Sequence, residues 1–196
     1  MFNKLLLATH NANKVNELKA MLSPYNIDVL SASDLNLPDV EETGTTFAEN
    51  AILKAETLSQ LSGLACLADD SGLCVDALGG RPGVYSARYA PNRNFDIAMD
   101  NLLQELEETL STNRSAHFSC VLALKVPSFP CQTFEGRIDG HLAYQKKGNN
   151  GFGFDPIFIP ENHFQTFAEM SPEQKASLSH RGRALQKFIR EVFKTE

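Results

Sequence analysis

The sequence lacks tryptophan, and its four cysteines show neither a CxxC pair nor the spacing of zinc ligands. It also lacks any apolar run of membrane-spanning length, and the apolar run at residues 5–8 is too short for the core of a signal peptide. These absences argue against a zinc site, a disulfide scaffold and a membrane protein. We therefore expect a cytoplasmic protein with reduced, mostly buried thiols.

The sequence has fewer basic than acidic residues, with 18 Lys and Arg against 24 Asp and Glu, and its net charge is -6. Sequence-blind binding to a nucleic-acid backbone needs a large basic surface, so this balance argues against a DNA- or RNA-binding protein. A small anionic substrate needs only a few local cations. With 196 residues, of which 42% are hydrophobic, the chain can bury a substantial core, and we expect a single domain over residues 1–196.

Strand and helix patterns alternate along the chain and predict an α/β fold of layered sheet and helices. Apolar or alternating runs predict strands at residues 4–8, 27–30, 64–68, 73–75, 118–124, 133–142 and 157–159. Helical spacing predicts helices over residues 15–22, 46–62 and 96–110, and two more that begin at Ser171 and near Arg181. Thr46 with Glu49, and Ser171 with Gln174, have the spacing of capping boxes.

A polar stretch at residues 9–14 follows the first predicted strand and opens the first helix. Such a helix start directs backbone N–H groups at a ligand above the sheet edge, which suits a phosphate. Thr9, Asn11 and Asn13 add side-chain donors, and Lys14 adds the point charge that a triphosphate needs. Because the stretch is not a GxxxxGK[ST] loop, an ordinary capped helix start is the competing interpretation.

Two acidic pairs are candidates for metal-assisted phosphate chemistry. Glu41 and Glu42 lie in a predicted loop, and Asp69 and Asp70 lie at the predicted end of a buried strand. Mg²⁺ favours one or two carboxylates together with water and substrate phosphates. Asp-Ser-Gly after a strand is also a common turn, but a carboxylate at the edge of a core needs partners.

A Gly-rich, aromatic stretch at residues 146–156 predicts a loop of specific shape. Phe152 and Phe154 flank Gly153, so a flat base can lie against the rings, and Asp155 can read the base edge. The competing interpretation is that the two aromatic side chains belong to the core.

Lys175 and the triplet at residues 179–181 lie about one helical turn apart. Donors from Lys175, His180 and Arg181 can read a purine carbonyl or hold a phosphate. Alternatively, a histidine near a helix end is a surface or capping residue.

Taken together, these segments strongly resemble the inosine triphosphate pyrophosphatase family, also called the dITP/XTP pyrophosphatases. The motifs are T-H-N-A-N-K at 9–14, E-E-T-G at 41–44, T-F-x-E-N-A-x-L-K-A at 46–55, A-D-D-S-G-L at 68–73, A-L-G-G-R-P-G-V-Y-S-A-R-Y at 77–89, G-F-G-F-D-P-I-F at 151–158 and S-H-R at 179–181. They cover almost the whole chain in this order. His10 stands where many members have Gly.

The resemblance implies a two-lobed α/β fold with a long central mixed sheet flanked by helices, a nucleotide cleft between lobes, and a homodimer. It implies a Mg²⁺-dependent enzyme that hydrolyses ITP, dITP and XTP to the nucleoside monophosphate and pyrophosphate. Asp70 would be the catalytic carboxylate and would bind the metal with Glu41 or Glu42. The resemblance places these residues around the nucleotide: Thr9, His10, Asn11, Ala12, Asn13, Lys14, Ser71, Phe152, Gly153, Phe154, Asp155, Lys175, His180 and Arg181.

Three other interpretations stay open at this point. The first is a pyrophosphatase for modified pyrimidine or ordinary nucleotides, which would share the phosphate machinery but not the base pocket. The second is a nucleotide sensor without turnover, against which the two acidic pairs argue. The third is an RNA- or DNA-binding protein, which the acidic balance disfavours.

Overall fold

The computed structural model describes residues 2–193 and has the expected α/β architecture. The described strands are β1 (Lys4–Leu7), β2 (Asp28–Ser31), β3 (Ala65–Val75), β4 (Ser115–Lys125), β5 (Gln132–Leu142) and β6 (Phe158–Pro160). The described helices are α1 (Ala12–Leu22), α2 (Phe47–Ser62), α3 (Phe95–Glu108), α4 (Pro172–Leu178) and α5 (His180–Val192). Within residues 2–193, no helix is both long and apolar enough to span a membrane.

One mixed sheet joins the described strands in the order β2-β1-β3-β4-β5-β6. β1 pairs in parallel with both β2 and β3, so that Leu5 lies opposite Val29 on one side and Ala65 on the other. β5 pairs with β6 in the antiparallel direction, with His141 opposite Ile159. This arrangement confirms the predicted fold class of a mixed sheet flanked by helices.

The chain divides into two compact units, and the described part of the first comprises residues 2–70, 120–135 and 184–193. In this unit, Leu5 and Leu7 belong to one hydrophobic cluster, which also contains residues of α1 and α5. Leu6 belongs to a different cluster, which contains residues of α2. Because successive side chains of a strand point to opposite faces, the two clusters cover the two faces of the sheet.

The second unit comprises residues 71–119 and 136–183 and has its own core. Its buried cluster contains apolar residues of α3, such as Leu102 and Leu106, together with Phe118, Phe158 and Phe167. The ring of Phe118 packs edge-on against that of Phe158, with the ring centroids 4.8 Å apart.

The predicted helix starts at Thr46 and Ser171 are confirmed. Thr46 caps α2 and forms a capping box with Glu49, and Ser171 caps α4 and forms one with Gln174. Gly63 ends α2 in the left-handed conformation that glycine adopts at little cost. These signals act within a few residues, which is why the sequence alone reveals them.

Some predicted boundaries were wrong. β3 runs unbroken from Ala65 to Val75, although the sequence predicts two separate strands at residues 64–68 and 73–75. The predicted helix over 96–110 ends at Glu108, and Leu110 is 91% exposed with a φ of 55° rather than on the buried face. Polar residues 111–113 follow it, so continuing the helix would bury nothing.

The prediction for the thiols is confirmed. All four cysteines are free, and the side chains of Cys66, Cys74 and Cys120 are buried, whereas that of Cys131 is half-buried. Burial raises the pKa of Cys66 to about 12, so this thiol stays protonated at neutral pH.

Candidate functional site

The predicted phosphate segment forms a capped helix start. Asn11 is the N-cap of α1, and its Oδ1 accepts hydrogen bonds from the backbone N–H groups of Asn13 at 3.0 Å and Lys14 at 3.3 Å. Thr9 Oγ1 accepts from the N–H of Asn11 at 3.1 Å. Ala12 and Asn13 are exposed. The segment therefore has the structure of an ordinary capped helix start, which was the competing interpretation. Phosphate binding by these residues stays a prediction.

His10 does not turn toward the helix start. Its Nε2 lies 2.9 Å from the carbonyl oxygen of Leu37, and its Nδ1 lies 3.6 Å from a carboxylate oxygen of Asp39. These contacts direct the ring to the loop after β2, and nucleotide binding by His10 stays a prediction.

Asp69 and Asp70 lie in the middle of β3 rather than at its end, which corrects their predicted position. Consecutive side chains of a strand point to opposite faces of the sheet. Accordingly, Asp69 forms an ion pair with Lys14 of α1, while Asp70 forms one with Lys54 of α2. Partners on both faces allow two adjacent buried carboxylates in an unbroken strand, where the sequence predicts the end of a strand.

Lys54 holds the acidic residues on the α2 face together. It is only 8% exposed, and its Nζ donates to Glu42 at 2.8 Å, to Asp70 at 3.1 Å and to the carbonyl oxygen of Asp69 at 2.9 Å. A lysine ammonium has three donors, and these three contacts use all of them. Lys54 therefore brings the loop with Glu42 and the strand with Asp70 to one point.

The sequence interpretation missed Lys54 as a site residue, although a signal was present. Lys54 lies within the apolar stripe of α2, between the buried residues Ala51 and Leu58. A lysine in that position is largely removed from water and needs carboxylate partners.

The pKa values of Asp70 and Lys54 both lie above their usual values, although burial and the opposite charge act against each other in each group. Burial raises the pKa of Asp70 to about 6, although Lys54 opposes the rise, and Glu42 adds to it. Burial alone would lower the pKa of Lys54, but Asp70 and Glu42 outweigh it and raise that pKa above its usual value. Asp70 is thus mostly ionised at neutral pH and still basic enough to accept a proton, which suits a general base.

The residues on the α2 face fit a Mg²⁺ ion that is bound together with phosphate. Among residues 2–193, no group of three or more His, Cys, Asp or Glu side chains is arranged to hold a metal ion. Within the same residues, however, Oδ2 of Asp70 is buried without a hydrogen-bond partner. Asp70 and Glu42 supply the one or two carboxylates that Mg²⁺ uses when water and phosphate complete its coordination. Glu41 is exposed, and Glu42 is the residue of this pair that forms an ion pair with Lys54.

In the second unit, the buried carboxylate of Asp155 binds the backbone of the predicted loop at Phe152. Oδ2 of Asp155 accepts from the backbone N–H of Phe152 at 2.7 Å and from Nζ of Lys175 at 2.7 Å. Gly151 has a φ of 73°, and a Cβ atom there would collide with the same carboxylate oxygen. Gly153 also has a positive φ, of 67°. The glycines thus let the loop fold over a buried carboxylate.

The two aromatic residues of this loop differ in their surroundings. Phe154 is 2% exposed and packs edge-on against Phe95 with ring centroids 5.4 Å apart, as the core interpretation expects. Phe152 is half-buried, and Nζ of Lys175 lies 4.5 Å from its ring centroid. The guanidinium of Arg181 lies 5.6 Å from the same centroid. Phe152 therefore carries the features of a stacking surface flanked by cations.

His180 and Arg181, at the start of α5, are buried rather than on the surface. His180 stacks on Phe118 with ring centroids 4.6 Å apart and an interplanar angle of 9°. Arg181 is 2% exposed, and its Nη2 donates to Oγ of Ser71 at 3.0 Å. The structure thus brings Ser71, Phe152, Asp155, Lys175 and Arg181 into one connected group.

Each unit of this α/β protein carries a group with a chemical character of its own. The first unit has buried carboxylates paired with lysines, which suits a phosphate bound together with a metal ion. The second unit has an aromatic ring faced by two cations, which suits stacking with a flat ligand.

The model of the Ham1 family matches residues 5–191, and the chain belongs to this family. The dITP/XTP pyrophosphatase of Bacillus licheniformis is 48% identical over 187 residues, which cover 94% of this chain and 95% of that protein. The protein of the same name from Caulobacter vibrioides is 48% identical over 191 residues, 97% of this chain and 98% of that one. The family resemblance inferred from the motifs is confirmed.

Solved structures agree with this assignment. A HAM1 protein from Coxiella burnetii superposes with a TM-score of 0.90 at 38% identity and covers 100% of both chains. The Ham1 protein of Staphylococcus aureus gives a TM-score of 0.87 at 38% identity and covers 98% of this chain and 100% of that chain.

Proposed function

We propose that this chain is a Mg²⁺-dependent nucleoside triphosphate pyrophosphohydrolase that acts on ITP, dITP and XTP. Water and the triphosphate would give the nucleoside monophosphate and pyrophosphate, which removes deaminated purine nucleotides from the pool. The observation that carries the proposal is the 48% identity, over nearly the full length of each chain, to proteins named dITP/XTP pyrophosphatase. The buried group of Asp70, Lys54 and Glu42 supports it, because phosphate hydrolysis needs such charges.

Asp70 would accept the proton of the water that attacks the α-phosphorus, because it is a buried carboxylate with one oxygen that has no hydrogen-bond partner among residues 2–193. The bond between the α-phosphorus and the bridging oxygen would break, and pyrophosphate would leave. Asp70 and Glu42 would hold Mg²⁺, which when bound offsets phosphate charge and polarises the reacting oxygens. Lys14, at the start of α1, would steady the negative triphosphate tail.

On the base side, Lys175 and Arg181 would present donors to the oxygen that a 6-oxopurine carries at C6. Adenine has an amino group there, so a donor would meet a donor and both would lose hydrogen bonds. Phe152 would stack on the base, and its two cation neighbours at 4.5 and 5.6 Å support this role. His180 and Ser71 would complete the surroundings of the nucleotide.

We further propose that the enzyme is a cytoplasmic homodimer, as the family resemblance implies. Light scattering coupled to gel filtration measures the mass in solution. A mass of twice 21.6 kDa is expected, and the mass of a single chain would contradict the dimer.

The test of the proposed function is pyrophosphate release with Mg²⁺ across ITP, dITP, XTP, GTP, ATP and dTTP. Turnover of ITP and XTP far above that of GTP and ATP is expected. Equal turnover of dTTP or ATP would favour the reading as a pyrimidine or general nucleotide pyrophosphatase. Tight ITP binding without pyrophosphate release would favour a sensor.

Asp70→Asn, assayed beside the wild type, tests the central carboxylate. The amide cannot accept the proton, so we expect kcat to fall by at least about 100-fold. The matched control is Asp28→Asn, which changes a carboxylate whose side chain is 55% exposed and should leave turnover unchanged. If Asp70→Asn stays within a few-fold of wild type, Asp70 is not the base.

A further inference from the structure

A buried thiol contacts one of the two central carboxylates. Cys120 of β4 is 1% exposed, and its Sγ lies 3.3 Å from Oδ2 of Asp69 on the neighbouring strand β3. A protonated thiol beside a carboxylate oxygen donates its hydrogen. The other oxygen of Asp69, Oδ1, accepts from Nζ of Lys14. Cys120 and Lys14 therefore each donate to a different oxygen of the Asp69 carboxylate.

The surroundings of Cys120 explain why a thiol is suited to donate to Asp69 at this position. Cys120 belongs to the hydrophobic cluster of the first unit that contains Leu67 and Leu122, so its side chain must fit among apolar groups. Asp69, which is 2% exposed, nevertheless needs donors to offset the loss of water. A thiol combines a small apolar body with one weak donor, and a bond to a charged acceptor is stronger than one to a neutral group.

We propose that Cys120 is a positioning residue for the proposed hydrolysis. Its S–H fixes the orientation of Asp69, and Asp69 in turn holds the ammonium of Lys14 at the start of α1. Lys14 has three donors, so it can keep Asp69 and still bind phosphate. This inference rests on the proposed function, because Lys14 is taken there to steady the triphosphate.

Cys66 provides a matched control within the same unit. It is fully buried on β3, in the other hydrophobic cluster, among small apolar residues such as Ala51 and Ala55. There the side chain acts as a small hydrophobe. Alanine should thus be tolerated better than serine at Cys66, and serine better than alanine at Cys120.

The first readout is the KM for ITP. Loss of the donor in Cys120→Ala lets Asp69 and Lys14 shift, and we expect KM to rise by about 3- to 10-fold, whereas Cys120→Ser stays within about twofold of wild type. A simple loss of folded enzyme lowers the rate without raising KM. Unchanged KM in Cys120→Ala, or an equal rise in Cys120→Ser, overturns the proposal. If alanine prevents folding, Cys120→Val and Cys120→Thr make the same comparison, because they differ in a hydroxyl donor.

The second readout needs no activity and separates failure of this inference from failure of the proposed function. Cys120→Ala and Lys14→Met are combined in a double-mutant cycle of thermal unfolding. Because both partners bind Asp69, the Tm shift of the double variant should differ from the sum of the single shifts by at least about 2 °C. The same cycle with Cys66→Ala in place of Cys120→Ala should be additive. Additivity in both cycles overturns the proposal even if the wild type hydrolyses ITP.

Discussion

Replacing Lys54 with methionine removes the positive charge that pairs with the acidic residues on the α2 face, and it nearly keeps the length of the side chain. The Nζ of Lys54 makes three contacts, of 2.8, 2.9 and 3.1 Å, with Glu42, Asp69 and Asp70. Breaking a buried ion pair by removing one partner costs about 3 to 5 kcal/mol, because the remaining charge stays buried without compensation. We therefore expect the free energy of unfolding of Lys54→Met to fall by about 3 kcal/mol at neutral pH.

For a chain of this size, such a loss lowers Tm by roughly 6 to 12 °C. Differential scanning calorimetry in the presence of a chelator measures it without bound metal. The matched control is Lys4→Met, since Lys4 pairs with Asp28 at 3.7 Å but its side chain is 59% exposed. An exposed pair contributes about 0.5 kcal/mol or less. Similar Tm values for Lys54→Met and Lys4→Met would refute the reasoning.

The same variant should change the pH dependence of stability. The pKa of Asp70 in the folded chain, about 6, lies above the ordinary aspartate value of 3.8, so folding favours the protonated form. The stability from this group is complete below the unfolded-state pKa and is lost as pH rises through about 6. Lys54 opposes the rise in pKa, so its removal enlarges that loss. The Tm difference between wild type and Lys54→Met should accordingly be larger near about pH 8 than near about pH 5.

Two further changes test the loop of the second unit and the thiols. Gly151→Ala should lower Tm more than Gly79→Ala, because both glycines have positive φ but only at Gly151 would a Cβ atom meet the carboxylate of Asp155; equal Tm values would contradict the close approach. Native protein treated with iodoacetamide near about pH 8 should be alkylated at Cys131 first, since burial keeps the pKa of Cys66 at about 12. Peptide mass spectrometry identifies the labelled thiol, and early labelling of Cys66 would contradict its burial.

Features that depend on a few neighbouring residues could be predicted from the sequence. The capping boxes at Thr46 and Ser171 mark α2 and α4, and alternation of apolar residues marks β4. The main segments of the candidate site could also be predicted, because each motif is a continuous stretch of sequence. Residues 151–155, for example, form the predicted loop with a specific shape.

Features that depend on distant partners could not be predicted in the same way. The sequence predicts that the strand ends at residue 68, but Lys14 and Lys54 neutralise Asp69 and Asp70, so β3 continues through them. Which carboxylate meets which lysine depends on the faces of the sheet that α1 and α2 cover. The position of Lys54 in the apolar stripe of α2 signals that it needs partners, but which carboxylates these are depends on the same packing.

The most direct test of the account is the hydrolysis of ITP with Mg²⁺ in water labelled with heavy oxygen, followed by mass spectrometry of both products. Attack on the α-phosphorus predicts inosine monophosphate and pyrophosphate in equal amounts, with the label in the monophosphate. Inosine diphosphate with orthophosphate, or label in pyrophosphate, would contradict the proposed reaction.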